Sequence, residues 1–265
     1  MIKYRLYFVL GLLVTALSSC FSDRQINQYG PAYFRNDIAY QPKPIASDSS
    51  HHATYISGAY VSGTGSNYDN SSDNIIAGEL NIGQGYTFSN FSLAYGAFGS
   101  IGSYTNNSNN DQTQANYFHS KSFAELGGRF SANAFITAGR VDIRFIGIEA
   151  AYSHEFGDYA QYRRDVTGQT DIYTNTRTQL FTLGGTSEVV IHLRNNGMRF
   201  GFRLFIGNSF GDNSYKNLNN TVGNQYYYYP SNTAVSLAYF MQVKQFVFVA
   251  ETNGSGFQLR TGFAF

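Results

Sequence analysis

The residues that could do chemistry are few and scattered. His154 sits between Ser153 and Glu155 and is the best triad fragment in the chain. A nucleophile needs its base within hydrogen-bond reach. Neighbours along an extended strand point to opposite faces, so Ser153 and His154 cannot pair directly. His51 and His52 are adjacent, but without convergent spacing or a nearby Cys or carboxylate cluster they do not make a metal site. Asp69, Asp73, Asp111 and Asp212 lack the dense Asp-x-Asp-x-Asp-Gly order of a calcium loop. Gly83-x-Gly85 is not followed by a helix and is no phosphate loop. The sequence therefore reads as that of a non-enzyme, with no metal and no cofactor.

The remaining polar side chains alternate with apolar ones. From about Thr54 onward the period is two, as in a strand with unlike faces. Ala124, Leu126, Gly128, Phe130, Ala132, Ala134 and Ile136 share one face, while Glu125, Gly127, Arg129, Ser131 and Asn133 share the other. Met198, Phe200, Phe202, Leu204 and Ile206 oppose Arg199, Gly201, Arg203, Gly207 and Ser209, with Phe205 breaking the pattern. Strands are predicted at about 54–62, 74–88, 91–104, 117–136, 140–157, 176–193, 198–210, 232–243, 246–252 and 256–265. Several exceed the roughly 5–6 residues of a globular strand and match the roughly 9–11 needed to cross a bilayer at a tilt. Within 140–157 the apolar face changes parity, from Val141, Ile143 and Phe145 to Ile148, Ala150 and Tyr152. One extra residue near Phe145-Ile146, a β-bulge, would restore a single face.

The connections alternate between short and long. Turns fall at Ser89-Asn90, Thr137 to Gly139, Arg194 to Gly197 and Lys244-Gln245, and Asn196-Gly197 is a strong hairpin signal. Polar loops fall at 63–73, 105–116, 158–175 and 211–231, the last with Tyr226 to Tyr229 before Pro230. A Tyr-rich loop suits either protein contact or an interfacial belt. This alternation, the long strands and the closing series Phe257, Leu259, Thr261, Phe263, Phe265 resemble bacterial outer-membrane β-barrel proteins. The resemblance implies an all-β, antiparallel up-and-down transmembrane barrel of about ten strands, with eight or twelve as alternatives. It also implies that Phe263 and Phe265 belong to the signal read by the barrel-assembly machinery.

The opening residues carry a second resemblance. Lys3 and Arg5 precede an apolar run from Leu6 to Leu17, which ends Leu17-Ser18-Ser19-Cys20. This is secretory-signal grammar, and its ending resembles the lipobox of Gram-negative lipoproteins. The resemblance implies a signal peptide over 1–19 and a lipidated (palmitate-bearing) Cys20, the sole cysteine, which leaves no thiol for a disulfide. The polar stretch with Pro31, Pro42 and Pro44 is then a periplasmic tether over 20–52, and the barrel occupies 53–265. A small folded plug, packed by Tyr29, Tyr33 and Phe34, is the other reading of that stretch. An even strand count puts both termini in the periplasm.

Charge and composition fix the rest. Charged residues are 13% of the chain against roughly 25% in globular domains, and the net charge of +1 leaves no basic footprint for nucleic acid. Lys or Arg facing lipid at midplane costs about 2–4 kcal/mol. The charged alternates Glu79, Glu125, Arg129, Glu149, Glu188, His192, Arg199, Arg203 and Arg260 are accordingly assigned to the lumen. Their mixed signs favour a sealed, paired network over an ion-selective lining. The expected role is structural or accessory, as a subunit or partner of a larger outer-membrane complex in contact with outer-membrane lipid. A small passive pore, suggested by the inward Gly127, Gly184 and Gly201, is the alternative.

Overall fold

The computed structural model describes residues 27–32, 37–44, 52–64, 73–107, 117–167, 172–193, 197–210, 232–253 and 256–265. Cys20, the signal segment, His51, Asp69, Asp111, Asp212 and the Tyr226–Tyr229 run lie outside them.

Ten antiparallel strands close into one barrel. In chain order they are β2 (His52–Thr64), β3 (Asn74–Thr87), β4 (Phe91–Thr105), β5 (Ser120–Ala138), β6 (Val141–Phe156), β8 (Gln179–His192), β9 (Met198–Phe210), β10 (Thr233–Val243), β11 (Phe246–Asn253) and β12 (Gly256–Ala264). The seam joins first to last, with Leu259 opposite Tyr60, and Phe265 and Thr54 exchange backbone hydrogen bonds. Closure leaves no unpaired edge, which a lipid environment requires. Two features lie outside the wall. The loop segment after β6 forms a short helix, α1 (Asp158–Asp165), where a plain loop was expected. Beyond it, β7 (Ile172–Thr174) pairs in parallel with β1 (Asn27–Tyr29).

Alternation decides what faces where. Leu80, Ile82, Ile101, Leu126, Ile148, Ile206 and Leu259 stand exposed on the outer surface, with Leu80 and Ile101 each 72% exposed. So continuous an apolar surface far exceeds the few hundred Å² a water-soluble monomer tolerates. Aromatic side chains flank it at both rims. Phe88 and Phe91 stack at the short-turn end, where Phe246, Phe263 and Phe265 also meet, while Phe181 and Phe210 stack at the long-loop end. An apolar band between two aromatic girdles is the outer surface of a membrane-spanning barrel.

The parity change in β6 is a bulge. Pairing to β8 shifts register between Arg144 and Gly147, and Phe145 and Ile146 are both exposed. The extra residue keeps Ile143 and Ile148 on the lipid side and Arg144 and Glu149 inside. At two tight turns the backbone enters the left-handed region that favours glycine, at Gly139 (φ 65°) and Gly197 (φ 62°).

The described part of the segment expected to be a tether is instead folded inside the barrel. Tyr29, Ala32, Asp37, Ile38, Tyr40 and Lys43 are all buried. The physical reason is composition: Tyr29, Ile38 and Tyr40 offer apolar surface that a free linker would leave in water. The barrel walls supply partners for the polar groups between them.

Candidate functional site

The site is the lumen with its inserted segment. Ten strands enclose more space than side chains fill easily. Here the described stretches Tyr29 to Ala32 and Asp37 to Pro44 take up that space, the first at the long-loop end and the second reaching the short-turn end.

At the long-loop end the filling is aromatic. The Tyr29 ring meets Phe118 at 5.8 Å and Tyr162 at 5.5 Å, while Tyr104 stacks on Tyr159 at 4.2 Å. Tyr162 and Tyr159 come from α1, which thereby closes over the rim. Hydrogen bonds fix the layer: the Asn175 amide donates to the Tyr29 carbonyl at 2.9 Å, and the Tyr159 hydroxyl to the Gly30 carbonyl at 3.0 Å. Below it, Glu155 accepts from the Ala32 amide at 2.6 Å and pairs with the buried Arg163.

At mid-height three arginine–glutamate groups hold the segment. The Arg129 guanidinium grips both oxygens of Glu79, each at 2.9 Å, and donates from Nε to the Asp37 carbonyl at 2.6 Å. Arg260 lies 3.2 Å from Glu79 and donates to the Tyr40 carbonyl at 2.7 Å. Glu79 thus joins the two arginines that clasp the segment's backbone. Arg203 bonds Glu149, Glu251 (2.9 Å) and the Ser236 hydroxyl (2.7 Å), and Glu251 also accepts the Tyr40 amide at 3.0 Å. Glu188 receives Arg144 at 2.8 Å, the Tyr40 hydroxyl at 3.2 Å and Lys43 at 3.6 Å. Such charges are tolerable in a dry interior because each is paired with an opposite charge, and all but Lys43 are hydrogen-bonded as well.

Toward the short-turn end the segment packs on an apolar cluster and on β3. Tyr40 stacks on Phe240, centroids 4.3 Å apart, within a cluster with Tyr55, Val190, Val247 and Val249. A Cβ on Gly85 would lie 2.9 Å from the Pro42 carbonyl oxygen and 2.9 Å from Pro44 Cδ, so the segment rests directly on β3.

No protein-family model matches the sequence, and no curated protein matches it. Among solved structures the chain is similar to Neisserial surface protein A (12% identity, TM-score 0.34, covering 81% of this chain and 96% of that one). It is similar also to the outer membrane protein OprG from Pseudomonas aeruginosa (9%, TM-score 0.38, covering 82% and 96%). A third similar structure is the translocator domain of the autotransporter NalP from Neisseria meningitidis (9%, TM-score 0.41, covering 82% and 89%). At such similarity nothing about this chain's activity is carried over.

The structure places the sequence-derived residues as follows. Glu79, Glu125, Arg129, Glu149, Glu188, Arg199, Arg203 and Arg260 all point inward and are buried. Arg199 turns to Gln242 rather than to an acid, with Nε 3.1 Å from its Oε1. Half-buried His192 pairs with Asp142 at 2.8 Å. Glu125 stands opposite Ser100 and Glu155 in the ladder and joins none of the ion pairs found among the described residues. Phe263 and Phe265 face outward at the short-turn rim, with ring centroids 4.9 Å apart. Ser153 is buried while His154 faces outward beside Phe156, so no triad forms there. Asp73 accepts hydrogen bonds from the Tyr104 hydroxyl at 2.6 Å and the Asn107 amide at 3.2 Å.

Sequence reasoning missed Arg144, Glu155, Arg163, Glu251 and Lys43. Arg144 was recoverable from the bulge, since it alternates with Ile143 and Phe145. Glu251 was hidden because Val247 and Val249, its companions on the inward face, are as apolar as the outward Phe246 and Phe248. Lys43 carries no periodic signal. The inward glycines also mean something other than open space. A Cβ on Gly127, Gly184 or Gly201 would come within 2.7 Å of the ring of Phe98, Phe205 or Phe240. These glycines seat rings that fill the lumen.

Proposed function

We propose that the chain is an outer-membrane lipoprotein barrel that conducts no solute. Its role is structural or accessory, as a subunit or partner of a larger outer-membrane complex. The observation that carries this reading is the filled lumen. The protein's own segment occupies it over the described residues Tyr29 to Ala32 and Asp37 to Pro44, clasped by arginines from β5 and β12 and capped by the aromatic layer. A passive pore of this chain would require the segment to leave. Its departure would break the ion pair between Lys43 and Glu188 and strip the Asp37 and Tyr40 carbonyls of their donors.

The experiment is solute uptake by liposomes carrying the refolded protein, with folding verified by heat-dependent gel mobility. No uptake of small sugars and ions is expected. Uptake by the folded protein would overturn the reading. Mild solubilisation of native membranes followed by pull-down should recover stoichiometric partners. Migration as a lone monomer would overturn the complex-forming part.

A further inference from the structure

The direction of the lumen segment has a topological consequence for the residues before it. β1 pairs with β7, which lies in the connection between α1 and β8, at the long-loop end of the barrel. Tyr29 is ringed there by Tyr104, Phe118 and Tyr162, and Asn106 donates to its hydroxyl at 3.1 Å. From that rim the segment descends past Asp37, beside Thr182 and Arg129, and past Tyr40, beside Arg260. It reaches Pro44, whose carbonyl accepts from Thr87 at the opposite end. The chain therefore enters the lumen at the long-loop end, where a periplasmic tether would have entered at the short-turn end.

We infer that the mature N-terminus is displayed on the cell-surface side of the outer membrane, and that the lipid on Cys20 lies in the outer leaflet. The leaflet assignment rests on the lipoprotein reading above. It follows from reach. Seven Cα–Cα steps, with six residues between, separate Cys20 from Asn27. Fully extended, they span at most about 25 Å, at up to about 3.6 Å each. The hydrocarbon core alone is about 30 Å thick, and Asn27 pairs with Ile172 in the long connection after β6, at the long-loop end. No conformation of seven residues brings Cys20 to the inner leaflet from there. The route back through the lumen is blocked by Ile38, Tyr40 and Lys43, all buried. A thioether-linked diacylglycerol with an N-terminal acyl chain has to insert in the leaflet it can reach, the one beside the long loops. The barrel then encloses its own N-terminal segment, with the acyl chains on one side of the membrane and the strand termini on the other.

The test uses the full-length protein in the outer membrane of a Gram-negative host. Single cysteines are introduced as Gln25→Cys, just before β1, Gln161→Cys on α1, and Gln245→Cys in the turn between β10 and β11. Intact cells are treated with a membrane-impermeant maleimide, and wild-type protein reports on Cys20 itself. Gln25→Cys and Gln161→Cys should label on intact cells, Gln245→Cys only after lysis, and wild type not at all. Labelling of Gln161→Cys with protection of Gln25→Cys until lysis overturns the inference. Labelling of Gln245→Cys alone shows the barrel reversed and overturns it too. Palmitate incorporation, present in wild type and absent in Cys20→Ser, tests the lipid separately. Its absence from wild type refutes the lipoprotein reading and the leaflet assignment, and the maleimide pattern, then read with Cys20→Ser added to each variant, decides the topology on its own.

Discussion

Glu79 is the point where the lumen network can be tested most directly. Its carboxylate accepts from both terminal nitrogens of Arg129, from Arg260, from Asn81 at 2.8 Å and from Gln258 at 3.2 Å. Glu79→Gln keeps the shape and removes the charge. Two guanidiniums then lose their carboxylate within a dry interior, and the amide presents an N–H where one of them donates. Arg129 keeps the Asp37 carbonyl and Arg260 keeps the Tyr40 carbonyl, so neither is stripped of every partner. Removing one partner of a buried pair costs about 3–5 kcal/mol, and the expected loss lies in that range. The chain has no Trp, so urea unfolding in lipid vesicles is followed by circular dichroism and heat-dependent mobility. The matched control is Glu125→Gln. Glu125 is equally buried and joins no ion pair among the described residues, so its neutral amide should cost less than about 1 kcal/mol or stabilise. A loss below about 1 kcal/mol for Glu79→Gln is the value of a solvent-screened pair, and it would refute a dry, sealed lumen. Equal losses for the two variants would refute the pairing scheme.

Three further outcomes follow from the geometry. Gly85→Val should drive its side chain into Pro42 and Pro44, 2.9 Å from where its Cβ would stand, and dislodge the segment while the wall stays closed. Liposome uptake should rise from nil to measurable with gel mobility unchanged, and unchanged impermeability would count against the segment as the seal. Ile148→Arg places a cation on the lipid face near mid-height and should lose about 2–4 kcal/mol in vesicle unfolding, whereas Gln179→Arg at the rim should lose about 0–1. Deleting Ile146 removes the bulge residue, turning Arg144 or Glu149 toward lipid, and no heat-modifiable folded form should appear.

How much of this was legible in the sequence depends on which physics each residue answers to. Strand β9 was legible residue by residue, because lipid demands apolar side chains on every second position and Met198 to Ile206 comply. The same demand exposed the bulge: only an inserted residue reconciles Ile143 with Ile148 on one face. It also put Glu79, Arg129 and Arg203 inside, since no other face would take them. The lumen obeys no such periodic rule. Its contents are chosen by partners from distant parts of the chain, and Arg129 meets the Asp37 carbonyl across 92 residues and Arg260 the Tyr40 carbonyl across 220. Phe205 looked like a break in the alternation because a ring in the lumen was read against the lipid rule. It is completely buried, beside the Gly184 that seats it. The inserted segment was harder still, since Pro31, Pro42 and Pro44 spell a linker by local grammar. Proline suits this inserted segment as well, because the carbonyls of Asp37, Tyr40 and Pro44 are satisfied by Arg129, Arg260 and Thr87 of the wall instead of by a ladder. Local composition thus sets the wall, while long-range complementarity sets what the wall contains. The direction in which the segment enters, on which the topology of the N-terminus depends, belongs wholly to the second.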